Sequence, residues 1–353
     1  MPPRKNRHAK AGKSKKKTLL WTLAIFLLLI IGGLVYYFTA IYNQLDNLHK
    51  TGDDSPFASV PTPSAAEVVK PPEWEGTEPV NILLMGVDAR GVKKGEVPRS
   101  DTMLVASLDP VKKKFYVFSI LRDTYVDIPD HGTQRINAAI TYGPNTAMQT
   151  VSDLLGIPIQ YYVYTDFQGF IKLVDAVGGV DYEVEKDMKY TTKADGPEYD
   201  IDLKKGFQHL DGKMALQYVR FRHDATSDFT RTERQRGFLK AVADKVISTT
   251  SIIKLPSILG QVTPYIDTNL DVNDMWKLAT VGYDSSMGGS AQIPPMKLIR
   301  EKTLKDGSQV IGFSSERALK QFVEDTMTAP EPTPTPEAEA SPGSSPSATP
   351  GTK

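Results

Sequence analysis

Cysteine is absent from the 353 residues, so the chain has no disulfide framework, no thiolate metal ligand and no catalytic thiol. Histidine is scarce. His8, His49, His131, His209 and His223 show no spacing that would bring two of them to one metal. No G-x-S-x-G elbow, P-loop or dinucleotide-binding glycine pattern occurs, and no internal repeat. Net charge is absent only as a sum. Forty-two Lys+Arg balance 42 Asp+Glu, yet residues 1–17 hold eight of the basic residues and no acid. The remainder carries 34 basic against 42 acidic residues, net −8. A net-acidic body argues against nucleic-acid binding, which needs a basic footprint.

Thr18 to Leu45 has no charge at all, and its centre, LLWTLAIFLLLIIGGLVYYF, is strongly apolar. About 20 helical residues cross a bilayer core of roughly 30 Å. Trp21, Tyr36 and Tyr37 lie near the two ends, where aromatic rings favour the membrane interface. A cleaved signal peptide would have a shorter apolar region, about 7–15 residues, and a better exit than Phe38-Thr39-Ala40. Residues 18–42 are therefore expected to be a single-pass anchor in the cell membrane. Residues 1–17 form its cytoplasmic tail, topogenic rather than DNA-binding, and the rest of the chain is extracellular.

Residues 43–78 are polar and proline-bearing and read as a stalk. From Ala329 the composition collapses to Pro, Thr, Ser, Ala, Glu and Gly, so 327–353 is expected to be a disordered tail. Between them, 79–326 has the size of one domain. Val80–Val87 is a short apolar run that reads as a buried strand. Thr102–Leu108 and Phe115–Leu121 read as a hairpin through Asp109-Pro110. Ala138–Leu155 has helical spacing broken at Gly143-Pro144, with Asn145 as a new N-cap. Tyr161–Tyr164 is a strand, Asp166 caps a helix over Phe167–Val177, and Val180–Val184 is again a strand. Helices are expected from Asp211 to Tyr218 and over Thr230–Ser248, Asn273–Tyr283 and Ser314–Asp325. Strands interleaved with helices predict an α/β fold: a mixed central sheet with helices on both faces, a three-layer α-β-α arrangement preceded by one transmembrane helix.

Of eleven arginines in the outer domain, five fall between 220 and 236: Arg220, Arg222, Arg231, Arg234 and Arg236. Read as an extended segment, Tyr218-x-Arg220-x-Arg222 sends both guanidinium groups to one side. On the following helix Arg231 and Gln235 share a face with Arg234 beside them. The planar arginine fork suits phosphate oxygens, although Asp224, Asp228 and Glu233 would equally allow a solvated salt-bridge network. Asp88 follows one strand and Asp101 precedes another, and carboxylates at adjacent sheet ends suit Mg²⁺ with a phosphate ligand. Arg90, Arg99 and Arg122 lie beside them at strand ends, where open α/β sheets bind ligands.

The segments NILLMGVDAR, RSDTMLVASLDP, LRDTYVDIP, INAAITYG, YYVYTDFQGFIKLVDAVGGVDYEV, LDGKMALQYVRFR and DFTRTERQ resemble the LytR–CpsA–Psr family of bacterial cell-wall transferases. The resemblance covers roughly 79–250 together with the anchor-plus-stalk layout. It implies transfer of a glycopolymer, such as wall teichoic acid or capsule, from an undecaprenyl pyrophosphate donor to a peptidoglycan sugar hydroxyl. It further implies that Asp88 and Asp101 hold Mg²⁺ (or Mn²⁺). Arg99, Arg122, Arg220, Arg222, Arg231 and Gln235 would bind or orient phosphate oxygens. Arg90 and Asp228 also match the pattern. One departure is Ser227-Asp228-Phe229-Thr230, where the family often has glycines.

Overall fold

The computed structural model of the protein describes residues 12–61, 74–93, 95–191, 196–223 and 228–328. Most of the basic tail, the middle of the expected stalk, Asp224, Ser227 and the tail from Ala329 lie outside the described residues. Helix α1 (Gly12–Asp46) contains Leu19–Asp46, the one helix among the described residues long and apolar enough to cross a membrane. Its side chains from Leu19 to Tyr36 are exposed, as a lipid-facing surface must be.

After α1 the chain forms β1 (Val80–Val87), β2 (Ser100–Asp109) and β3 (Lys114–Ile120), then a small hairpin of β4 (Tyr125–Ile128) and β5 (Gly132–Arg135). A 3-10 turn over Ile136–Tyr142 leads into α2 (Pro144–Leu155), followed by β6 (Tyr161–Asp166), α3 (Phe167–Ala176) and β7 (Val180–Val184). Next come β8 (Met188–Tyr190), β9 (Ile201–Leu203), β10 (Gly206–Leu210), α4 (Gly212–Arg220) and α5 (Asp228–Val246). The described residues end with α6 (Thr249–Ile253), α7 (Leu255–Val262), β11 (Ile266–Thr268), α8 (Val272–Tyr283), β12 (Ser286–Ile293), β13 (Ile299–Thr303), β14 (Gln309–Phe313) and α9 (Glu316–Thr328).

The central sheet has the order β11-β6-β1-β2-β3-β12. The β1–β2 and β2–β3 pairs are antiparallel, while β6 joins β1 and β12 joins β3 in parallel. Alternation along β1 sends Leu83, Met85 and Val87 to one face, where they pack with Phe118 and Ile120 against Val151 of α2 and Leu319 and Val323 of α9. On the other face Ile82 and Val163 pack with Trp74, Leu270 and the α8 side chains Met275 and Leu278. The mixed sheet with helices on both faces is thus the predicted architecture. A satellite core of Val174, Val184, Leu210 and Phe238 unites α3, α4 and α5 with the small β7–β10 and β8–β9 sheets.

Local signals held where a cap decides. Asp166 Oδ1 accepts from Gly169 N at 2.8 Å, and Asp211 Oδ1 from Met214 N at 2.8 Å. Other expectations need correction. Gly143, at φ 103°, caps α2 with Pro144 in its first turn, so Asn145 is already helical. Arg220 is the last residue of α4 rather than part of an extended segment, because the helix started by Asp211 runs past Tyr218. The described parts of 43–78 pack on the domain: Leu48, Phe57 and Trp74 are buried, and Phe57 and Trp74 lie in the two sheet-face cores. The α6–α7 pair and strands β11 to β14 were not anticipated.

Candidate functional site

The β1–β2 ladder pairs Gly86 with Thr102 and Val87 with Ser100, which leaves Asp101 as the extra residue of a β-bulge. A bulge re-aims the side chain it carries. Asp88 follows Val87 directly, so two carboxylates leave neighbouring strands at the same end of the sheet. Arg122, just beyond β3, donates from Nη1 to Asp101 Oδ1 at 2.5 Å, and Arg222 Nη2 stands 3.8 Å from the same oxygen. Arg122 Nε also lies 3.5 Å from Asp123, which in turn holds Arg135 at 3.2 Å. Asp88 Oδ1 accepts from Arg90 Nε at 2.7 Å and from the Arg90 backbone N–H at 3.2 Å. Both carboxylates and their arginines remain about a quarter exposed, so the cluster is open to a ligand.

Burial alone pushes the Asp88 carboxyl up, but the hydrogen bonds and charge of Arg90, with the charge of Arg220, hold it below the ordinary carboxylate range. Asp88 is therefore ionised at neutral pH, and a carboxylate so stabilised is a poor proton acceptor.

An aromatic floor carries two of the arginines. The Arg90 guanidinium lies 3.9 Å from the Tyr199 ring centroid. Arg220 lies 5.4 Å from the same ring and 5.2 Å from that of Phe167. Phe167 opens α3 directly after the Asp166 cap, and Tyr199 ends a 3-10 turn. Neither ring was singled out from sequence, because only the fold brings residues 90, 167, 199 and 220 together.

Helix α5 covers the opposite side. Gln235 Nε2 donates to the hydroxyl of Thr102, next to Asp101, at 3.0 Å. Arg231, one turn earlier on that face, is 2% exposed. The remaining two arginines of the cluster belong elsewhere. Arg234 is buried, donating from Nε to Glu185 at 2.6 Å and from Nη1 to the Phe221 carbonyl at 3.1 Å. Arg236 donates to Ser119 of β3, and burial pulls its basicity down. Arg99 lies exposed two residues before Asp101, and Asp228 opens α5. The site thus gathers Asp88, Asp101, Arg90, Arg122, Arg220 and Arg222 around one sheet end.

Two oxygen-donor carboxylates on adjacent strands fit a Mg²⁺ or Mn²⁺ ion that completes its shell with phosphate oxygens and water. Among the described residues no group of three or more His, Cys, Asp or Glu could hold a metal.

The LytR_cpsA_psr family model matches residues 35–326. A polyisoprenyl-teichoic acid–peptidoglycan teichoic acid transferase, TagU, of Bacillus mycoides is 35% identical over 285 residues, 79% of this chain and 87% of that protein. Regulatory protein MsrR of Staphylococcus aureus is 32% identical, covering 70% of this chain and 75% of MsrR. Among solved structures, TagT, a Bacillus subtilis protein, bound to LI-WTA superposes with a TM-score of 0.55 at 26% identity, over 72% of this chain and 94% of that one.

Proposed function

The chain belongs to the LytR–CpsA–Psr family, and from that premise we propose that it is a membrane-anchored transferase. It moves a glycopolymer from undecaprenyl pyrophosphate to a sugar hydroxyl of peptidoglycan. The products are a phosphodiester-linked polymer and undecaprenyl phosphate. Its substrates follow the TagU relative's name, and the eight basic residues ahead of the apolar run support a cytoplasmic N-terminus. The observation that carries the reading is the paired strand ends, where Asp88 and Asp101 stand among Arg90, Arg122, Arg220 and Arg222.

A pyrophosphate diester repels an incoming hydroxyl through its negative charge. Arginines in excess of carboxylates offset that charge and stabilise the charge left on the departing lipid phosphate. A Mg²⁺ or Mn²⁺ ion held by Asp88 and Asp101 would add charge neutralisation on the same oxygens. Arg90 and Arg122, which bond to these carboxylates in the structure, carry planar forks suited to phosphate oxygens. The aromatic floor of Phe167 and Tyr199 keeps Arg90 and Arg220 close together until the ligand arrives. Gln235 fixes α5 against Thr102, and Arg231 and Gln235 on that face would bind or orient phosphate oxygens.

The name of MsrR favours a second reading, a regulator that holds lipid pyrophosphate without turning it over. Purified full-length protein, given a lipid-pyrophosphate-linked glycan and peptidoglycan oligomers with Mg²⁺, separates these readings. Conjugate formation supports transfer. Tight donor binding without product supports the regulator, and free phosphorylated glycan in place of conjugate means hydrolysis.

A further inference from the structure

The structure fixes which end of the domain faces the anchor. Tyr37 donates through its hydroxyl to the Ile252 carbonyl. Gln44 lies against Gly260, and its carbonyl is 3.4 Å from the Thr263 hydroxyl. Numbers rise together along both partners, so α1 and the α6–α7 pair run side by side in the same direction. Strand β11 then turns back, pairing Ile266 with Thr165 and Thr268 with Val163. Thr165 in turn pairs with Gly86, at the Asp88 end of the sheet. The top of α7 is therefore level with the site, and α6 points toward the opposite end.

That opposite end carries the β2–β3 hairpin. The eight residue steps from Asp101 to Asp109 span about 27 Å of strand. Helix α8 reaches the same level: the Trp276 and Phe38 rings lie 6.2 Å apart, and Asp284, directly after Tyr283, lies 3.6 Å from Lys113 of the hairpin. Large apolar side chains are exposed along this level, with Ile253 at 70%, Tyr283 at 66% and Val111 at 78%. Thr249–Val262 contains Lys254 and no acid, and the hairpin is Val111-Lys112-Lys113-Lys114. An open cleft of about 500 Å³ between α1 and α7 is lined by Tyr36, Thr39, Pro256 and Ser257 at the same height.

We propose that this end, formed by α6, the exposed face of α8 and the β2–β3 hairpin, rests on the bilayer interface at the level where α1 emerges. The occupant is the lipid surface because the band continues outward from Tyr36, Tyr37 and Phe38. Lysines flank these aromatic and aliphatic side chains, Lys112 and Lys113 also pairing with Asp109 and Asp284, and such a mixture suits a bilayer interface. The domain then lies on the membrane instead of swinging on a stalk, and the Asp88–Asp101 end stands about 27 Å above the hairpin end. A lipid-borne pyrophosphate reaches the site only with its tail drawn along the depth of the domain. The proposal rests on α1 being the anchor and is independent of which group is transferred.

The absence of native cysteine allows single nitrobenzoxadiazole labels on the full-length chain. Phe26→Cys, Ile253→Cys, Val111→Cys and Glu96→Cys are placed in nanodiscs of phosphatidylglycerol and phosphatidylcholine, with or without a nitroxide lipid. Labels at 26, 253 and 111 should lose most of their emission to the nitroxide, and the label at Glu96, in the loop at the site end, should keep it. Retained emission at 253 and 111 with quenching at 26 overturns the docked face and leaves the anchor standing. Retained emission at 26 as well overturns both. Quenching at 253 or 111 that needs a second labelled copy and no nitroxide lipid assigns the face to self-association, and equally overturns the proposal.

Discussion

Arg90 and Arg234 both hold a carboxylate and both lie over an aromatic ring, yet their surroundings differ in what is left open. Arg234 is 3% exposed at its side chain, and Glu185 and the Phe221 carbonyl take up its donors. A 5.4 Å approach to the Phe221 ring completes its surroundings. Its partner Glu185 also accepts from the Tyr218 hydroxyl at 3.1 Å, which ties β7, α4 and α5 together. Arg90 and Asp88 are each about a quarter exposed, share their surroundings with Arg220, and face a second carboxylate–arginine set at Asp101. Similar sets of arginine, carboxylate and aromatic ring thus build a joint in one place and an open cluster in the other. Burial and saturation of the donors decide which.

Three substitutions separate the two. Asp101→Ala should lower glycan transfer by at least about 100-fold, the scale of losing a group that stabilises transferring charge, with no change in the melting curve. A normal turnover number would remove Asp101 from the chemistry. Arg234→Ala should do the reverse, costing about 2–3 kcal/mol in chemical denaturation because Glu185 and the Phe221 carbonyl lose a charged donor. Donor affinity of the folded protein should stay at the wild-type value, and a weakened affinity would merge the two clusters. Arg220→Ala should weaken lipid-pyrophosphate binding by about 1.5–3 kcal/mol in a titration. Its melting temperature should hardly move, since the lost ring contact is offset by relief of repulsion with Arg90. A lower melting temperature with equal donor affinity would make Arg220 part of a network only.

The smallest effect concerns acid. Asp88 is held below its ordinary value, so its contribution to stability is complete above that value and lost as pH falls through the lower, folded one. Glu185 is also held low: burial raises it, and the Arg234 bond outweighs burial. Below about pH 4 the wild type should therefore lose more stability per pH unit than Asp88→Asn or Glu185→Gln. Parallel melting-temperature profiles for all three would contradict both shifts.

How much of this was legible beforehand depended on distance along the chain. The strand Val80–Val87 was read to the residue, because an apolar run ended by Gly86-Val87-Asp88 is a local signal. Asp166 and Asp211 as caps were equally local. The outer strands β11 and β12 escaped, since each is set by a partner more than a hundred residues away. At the site, Asp88, Asp101, Arg90 and Arg122 were visible as types at strand ends, and Arg220 and Arg222 as part of an arginine cluster. Sorting Arg234 away from Arg220 and Arg222 needed Glu185, and the floor needed Phe167 and Tyr199, none of which sequence proximity could supply.

We propose that this sheet end directs attack on the glycan-side phosphorus of a lipid pyrophosphate. The most direct measurement uses a donor with labelled phosphorus on the glycan side only, incubated with the full-length protein, Mg²⁺ and peptidoglycan oligomers. The label should appear in the peptidoglycan conjugate, with unlabelled phosphate left on the lipid, and Asp101→Ala should abolish both products. Label recovered on the lipid, or as free phosphorylated glycan with acceptor present, would contradict the account.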